Sequence, residues 1–226
     1  MAQTAFTNPN ILNYEKVKAE MKTNLSMREL VLAVSVVLAG ASLALDASAE
    51  ESPWEIRVRA LNMQVDNGNS PEVKGAKVEI NNKTFPEIDF AYNFTRNIAA
   101  ELVLTYPQKH DVSLQGARIG SIKHLPPVLL VQYQFLPGEK FNPYVGAGVN
   151  YTRFMSANLP AGITTDKSST GFAAQAGVDI EIAKNTYLNF DFKHVKIATD
   201  IKVAGATLTT LKVDPNLISI GIGWRF

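Results

Sequence analysis

The last ten residues of the chain read Leu217-Ile218-Ser219-Ile220-Gly221-Ile222-Gly223-Trp224-Arg225-Phe226. Bulky apolar side chains occupy every second position, namely Ile218, Ile220, Ile222, Trp224 and Phe226. The positions between them are small or polar. A period of two is typical of a β-strand with one apolar face. The outward face of a strand in an outer-membrane barrel touches lipid and needs this pattern. An ordinary buried strand of a soluble sandwich is the alternative.

The same alternation recurs along the chain and predicts eight strands. They cover residues 54–66, 84–94, 98–106, 125–135, 144–152, 171–182, 188–193 and 217–226. The connections are alternately long and short, with long polar loops at about 67–83, 108–124, 156–169 and 199–212. In the first strand the apolar parity changes at Leu61, which a β-bulge would explain. The pattern predicts an all-β fold, an eight-stranded antiparallel up-and-down transmembrane β-barrel with both ends in the periplasm.

Residues 1–49 are predicted to lie outside this barrel. An uncharged apolar run at 30–45 follows Arg28 and precedes Ala47-Ser48-Ala49, an A-x-A-like cleavage site. This order is typical of a secretory signal peptide, and the run is shorter than the ~20 residues of a membrane-spanning anchor helix. We therefore expect 1–49 to be an N-terminal extension plus a cleaved signal peptide, and 50–226 to be a single outer-membrane barrel domain.

Composition narrows the function classes further. The chain has 22 Lys plus Arg, 21 Asp plus Glu and no cysteine. The near balance of charge predicts no nucleic-acid partner, and the absence of cysteine excludes disulfides and cysteine chemistry. The longest apolar run after residue 49 is short, so any membrane crossing would use strands. The sequence does not decide between Met1, Met21 and Met27 as the first residue, although the last two lie closer to the charged flank of the signal peptide.

Periodicity alone does not say which face of the strands points inward. A soluble eight-stranded barrel of the lipocalin kind would place its apolar face inside. Charged residues of both signs lie on the polar faces, however, as pairing inside a small barrel requires. The lumen-facing candidates are Arg57, Arg59, Glu87, Asp89, Glu101, Gln132, Gln134, Asn150, Gln175, Asp179, Asp191 and Lys193. Aromatic residues also collect at the short-turn end, as membrane-interface girdles do, namely Trp54, Phe94, Tyr133, Phe135, Tyr187, Trp224 and Phe226. Both features favour the membrane barrel.

Four stretches resemble the OmpW family of small outer-membrane barrels. They are Tyr106-Pro107-Gln108-Lys109-His110, then His124-Leu125-Pro126-Pro127 running to Gln132-Tyr133-Gln134-Phe135, then Pro143-Tyr144-Val145-Gly146-Ala147-Gly148-Val149-Asn150-Tyr151-Thr152, and finally Asp214-Pro215 running to Trp224-Arg225-Phe226. The resemblance covers about 54–226 and implies location in the bacterial outer membrane, with passage of small apolar molecules as the role. It also implies that the outward row ending at Phe226, besides touching outer-membrane lipid, is read by the barrel-assembly machinery.

No catalytic residue, metal site or cofactor is predicted. His110 and His124 bracket the second long loop and are expected to meet across neighbouring strands, but two histidines without a third ligand are weak evidence for a metal. Ser113, Ser121 and Ser156 lack a G-x-S-x-G context, which disfavours a lipid-modifying enzyme. We therefore expect a protein that is not an enzyme.

The predicted function is a narrow passive channel or uptake protein for small hydrophobic solutes. Eight strands enclose an interior that side chains can fill, which excludes an open, water-filled pore of the large-porin kind. The alternative is a structural or surface-interaction barrel with a plugged lumen and external loops that bind partners. The inward glycines, among them Gly177, Gly221 and Gly223, either make room for bulky neighbours or leave a narrow passage. The solute, the loop partners and the oligomeric state are beyond what the sequence predicts.

Overall fold

The structure is a computed structural model, and it describes residues 52–65, 72–73 and 76–226. The predicted leader at 1–49 lies outside the described residues. The described part contains fifteen strands, which are β1 (Trp54–Gln64), β2 (Glu72–Val73), β3 (Ala76–Ile80), β4 (Lys83–Asn93), β5 (Ile98–Thr105), β6 (Gln108–Leu114), β7 (Ala117–Leu125), β8 (Val128–Gln134), β9 (Phe141–Asn158), β10 (Ile163–Thr165), β11 (Ser168–Ala183), β12 (Thr186–Val195), β13 (Ala198–Val203), β14 (Ala206–Lys212) and β15 (Asn216–Arg225). No helix in this part is long and apolar enough to cross a membrane.

Eight of these strands close into the predicted barrel. In order around the barrel they are β1, β4, β5, β8, β9, β11, β12 and β15, and every neighbouring pair is antiparallel. The last strand closes the ring on the first, with a register that runs from Glu55 opposite Arg225 to Gln64 opposite Asn216. The eight-stranded antiparallel fold predicted from the alternation is therefore confirmed.

Two of the predicted long connections are hairpins and not irregular loops. Most of 108–124 forms the β6–β7 hairpin and most of 199–212 forms the β13–β14 hairpin, each closed by two residues with positive φ, Gln115-Gly116 and Ala204-Gly205. Both positions of such a turn need positive φ, for which Asn-Gly or Asp-Gly is the usual sequence. Because Gln115 and Ala204 take the first of these positions, the sequence did not predict the two turns. The hairpins extend the barrel wall on its long-loop side, with β3 paired to β6 and β7 paired to β9.

The bulge predicted in the first strand is wrong. The pairing of β1 with both neighbours runs without a shift across Leu61 and Met63. These two side chains are buried on the same inner face as Arg57 and Arg59. The parity of the strand is constant, and the lining of the lumen changes instead from charged to apolar.

The outer face of the barrel carries the apolar belt that lipid contact requires. Exposed side chains on this face are Ile88, Phe90, Leu102, Leu129, Val131, Val145, Phe172, Phe190, Phe192, Ile218 and Ile220. Trp54, Phe94, Tyr133, Phe135 and Phe226 are exposed at the short-turn end, and Ile222 and Trp224 are half-buried. Tyr187 does not belong to this girdle, because it shares the inner parity of Asn189 and Asp191 and is buried. A soluble protein does not expose so continuous an apolar surface.

Candidate functional site in the barrel lumen

A layer of paired charges crosses the lumen in the half nearer the short turns. Arg59 Nε lies 2.7 Å from Glu87 Oε1, and Arg59 Nη2 lies 2.7 Å from Asp89 Oδ2. Arg57 and Arg59 both reach Glu101 Oε1, at 2.9 Å and 3.0 Å. Because these groups are withdrawn from water, their mutual pairing is what makes their burial tolerable. We refer to this set, with the side chains added below, as the charged layer.

Ten of the twelve lumen-facing candidates meet in the charged layer. Lys193 Nζ lies 2.6 Å from Asp191 Oδ1 and 3.1 Å from Glu87 Oε1, and Arg57 Nη2 lies 3.2 Å from Asp179 Oδ2. The last two members of these ten are the amides Gln132 and Gln175. Gln132 Nε2 and Gln175 Nε2 each donate to Glu101 Oε2 at 2.8 Å. Residues from six different strands thus form one connected network.

Gln134 and Asn150 are buried but lie apart from this network. Gln134 donates to Asn93 Oδ1 at 3.0 Å and accepts from Asn142 at 3.1 Å, nearer the short turns. Asn150 donates to the Pro127 carbonyl at 3.0 Å and accepts from the Thr152 hydroxyl at 2.8 Å, nearer the long loops. Both amides tie their own strands to other segments of the barrel.

The candidate set omitted four inner residues of the charged layer. Glu55 pairs with Arg57 and with Arg225, while the Tyr144 hydroxyl donates to Asp191 Oδ2 at 2.8 Å. Asn189 Nδ2 donates to Asp179 Oδ1 at 2.7 Å, and the Tyr187 ring lies under the Arg57 guanidinium at 5.7 Å. Each of them has the same parity as a chosen candidate on its own strand. Selecting every second residue along these strands, whatever its type, would have included all four.

The charged layer is closed to water. The side chains of Arg57, Arg59 and Lys193 are at most 1% exposed. A β-carbon at Gly177 would strike the Tyr144 ring, and one at Gly223 would strike the Tyr187 ring. These two glycines therefore make room for tyrosines and leave no passage. Below the layer, a polar vestibule of about 450 Å³ opens among the short turns.

A cluster of packed apolar side chains, called the apolar chamber below, fills the other half of the lumen. Its barrel part consists of inward, buried side chains, namely Leu61, Met63, Phe85, Val103, Val128, Leu130, Val195 and Leu217. The same cluster continues into the hairpin extension through Val112, Ile122, Ile201, Leu211 and Val213. The chamber thus runs from the charged layer to the long-loop end of the molecule.

The wall beside the chamber has an interruption in its backbone pairing. The β4–β5 ladder ends at Glu87 opposite Thr105, and pairing of the next segments starts only at Ile80 opposite Val112. Pro86 and Pro107 lie between, and proline has no N–H to donate across a ladder. The buried Phe85 ring and the exposed Tyr106 ring meet edge-on here, with centroids 6.5 Å apart.

The two histidines of the extension do meet, across the β6–β7 hairpin. Their rings stack with centroids 5.0 Å apart, and His110 Nδ1 lies 3.0 Å from the Asn81 carbonyl. Burial lowers the pKa of His110 and lowers that of His124 to about 3, with the neighbouring His110 adding to the second effect. Among the described residues, no group of three or more His, Cys, Asp or Glu side chains is arranged to hold a metal ion.

Comparison with known proteins agrees with this architecture. The family model described as OmpW family matches residues 53–226. An uncharacterized outer-membrane protein, y4mB of Sinorhizobium fredii, is 38% identical over 77% of this chain and 80% of its own length. The dibenzothiophene metabolism operon protein PahQ of Pseudomonas aeruginosa is 29% identical over 79% of this chain and 90% of its own.

Solved structures show the same barrel. The crystal structure of the outer membrane protein OprG from Pseudomonas aeruginosa superposes with a TM-score of 0.65 and 27% identity, covering 80% of this chain and 99% of that one. The family match at residues 53–226 spans the closed barrel, the lumen layers and the hairpin extension described above. The chain therefore belongs to the OmpW family of outer-membrane β-barrel proteins.

Proposed function

We propose that this protein takes up small apolar solutes passively across the outer membrane. The observation that carries the proposal is the apolar chamber at the external end of the lumen, lined on the inner face of the barrel by side chains such as Leu61, Met63 and Phe85. Transfer of apolar surface from water into such a lining is favourable by about 25 cal/mol per Å². The relative named for a dibenzothiophene metabolism operon supports this solute class, because dibenzothiophene is an apolar aromatic molecule.

The charged layer bars an axial route for such a solute. To pass, the solute would have to separate Arg57 and Arg59 from their carboxylates and leave charges buried without partners. The interrupted ladder between Pro86 and Pro107 offers an exit through the wall instead, since no complete set of backbone hydrogen bonds has to break there. In this proposal the solute leaves the chamber sideways, past Phe85 and Tyr106, into the membrane.

Uptake of dibenzothiophene into vesicles with lipopolysaccharide in the outer leaflet tests the proposal. Leu61→Asn places an amide in the chamber, while Leu61→Met keeps the site apolar at similar volume. We expect the asparagine variant to slow uptake about tenfold or more, because an unpaired buried amide carries a penalty of about 1–3 kcal/mol. The methionine variant should stay close to the parent. Uptake by the parent no faster than in protein-free vesicles would refute the function.

A surface-interaction barrel is the second candidate, and the water-tight charged layer fits its plugged lumen. The two functions separate experimentally. Trimming only the exposed tip of the β13–β14 hairpin, residues 203–208, would abolish binding of an external partner and leave the chamber intact, whereas Leu61→Asn would leave the external surface unchanged. Loss of function in the first variant alone would favour the surface role.

A further inference from the structure

A small cavity inside the hairpin extension combines apolar walls with three polar side chains. Its volume is about 20 Å³, enough for one water-sized group. Residues such as Ile122, Phe154 and Leu211 form the apolar walls. His110, His124 and Thr199 supply the polar atoms.

None of the three polar atoms has a hydrogen-bond partner within the described residues. They are His110 Nε2, His124 Nε2 and Thr199 Oγ1. The three residues are 2%, 6% and 2% exposed, so bulk water does not satisfy these atoms either. Buried polar atoms are nearly always paired, and three unpaired ones around a single cavity indicate a missing partner.

The chemistry of that partner follows from the state of the histidines. The Asn81 carbonyl only accepts hydrogen bonds, so the His110 Nδ1 that lies 3.0 Å away carries the proton. The lowered pKa keeps the ring neutral, which leaves Nε2 as an acceptor. The Thr199 hydroxyl can donate. The cavity thus offers one acceptor and one donor to a group that has both functions in one atom.

We propose that His110 and Thr199, beside His124, bind the hydroxyl group of an otherwise apolar molecule, such as a phenol or an aliphatic alcohol. The ligand O–H donates to His110 Nε2, and its oxygen accepts from the Thr199 hydroxyl. The cavity itself holds only the hydroxyl group, so binding of the hydrocarbon part requires the side chains of Phe154 and Leu211 to move apart. This inference rests on the proposed uptake function and narrows its substrate class to monohydroxylated apolar solutes.

Naphthalene and 1-naphthol form a matched probe pair, because they differ by one hydroxyl group. Binding to the full protein in lipid nanodiscs is measured by fluorescence, with protein-free nanodiscs as the blank for lipid partition. We expect 1-naphthol to bind about tenfold more tightly than naphthalene, as two additional buried hydrogen bonds predict. Thr199→Val keeps the side-chain shape and removes one of the two hydrogen bonds, so it should reduce this preference to about threefold without weakening naphthalene. Thr207→Val on exposed β14 is the control and should change nothing.

A spectroscopic readout makes the result independent of the variants. Addition of 1-naphthol should shift the ¹⁵N resonance of His110 Nε2, and naphthalene should not. Naphthalene binding or dibenzothiophene uptake with no preference for the hydroxyl would overturn this inference and leave the uptake function standing, with a structural water as the partner of the three atoms. Absence of binding and of uptake for every probe would overturn both.

Discussion

Removal of Arg59 is the most direct test of the charged layer. Arg59 contacts four carboxylates, those of Glu87, Asp89, Glu101 and Asp191. In Arg59→Ala, three of the four keep another cation, because Lys193 also contacts Glu87 and Asp191, and Arg57 also contacts Glu101. The carboxylate that is left without a cation is that of Asp89.

The expected size of the effect follows from this count. Among the described residues, Arg59 is the only cation within 4 Å of Asp89, and both side chains are fully buried. An orphaned buried charge typically destabilises a protein by about 3–5 kcal/mol. The double variant Arg59→Ala/Asp89→Asn removes the orphaned charge, so we expect it to recover about 1–3 kcal/mol of that loss. Arg118→Ala breaks an ion pair in which both partners are about half exposed, and it should change stability by about 1 kcal/mol or less.

Urea unfolding from lipid vesicles measures these differences. Tryptophan fluorescence from Trp54 and Trp224, the two tryptophans of the chain, reports on the barrel, and heat-modifiable gel mobility gives an independent estimate of the folded fraction. A loss of less than about 1 kcal/mol in Arg59→Ala would contradict the reasoning. So would a double variant that is no more stable than the single one, because Asp89 would then not be the source of the penalty.

Three further predictions concern other parts of the barrel. Acidification from pH 7.5 to 5 should destabilise the β6–β7 hairpin. The pKa of His124 is about 3 in the folded protein and about 6.5 when the hairpin is open, so the open hairpin binds the proton first. The free energy of opening the hairpin should therefore fall by about 2 kcal/mol. Hydrogen exchange of the hairpin amides, corrected for intrinsic rate, measures this. His124→Gln should reduce the change and leave the part that comes from the lowered pKa of His110, and an unaltered pH response would exclude His124 as a cause. Gly221→Ala should destabilise the barrel by about 1–3 kcal/mol, because the added carbon meets the Val58 carbonyl and Arg59. Urea unfolding measures the effect, with Ser219→Ala on the same inner face as the control. Equal stability of both variants would contradict the close-packing argument. Deletion of Phe226 should lower the amount of barrel assembled in the outer membrane more than it alters uptake per folded molecule, and normal outer-membrane levels would rule out an assembly role for this residue.

The sequence by itself determined the barrel. A two-residue period is a local property, and every strand such as β15 or β12 shows it without reference to its neighbours. The alternation of long and short connections then set the strand order, since antiparallel neighbours follow one another along the chain. The alternate polar positions also predicted most residues of the charged layer, because charged side chains that do not face lipid must face the lumen and one another.

Tertiary structure decided where the lumen is polar and where it is apolar. Leu61 and Arg57 have the same parity, and their strand alone suggested a bulge until pairing with β4 and β15 showed a continuous register. The hairpins of the extension were likewise hidden, because their buried faces exist only where they pack on one another. The partnerless atoms of His110, His124 and Thr199 come from three different strands. Their convergence on one cavity is a property of packing, which no local pattern along the chain carries.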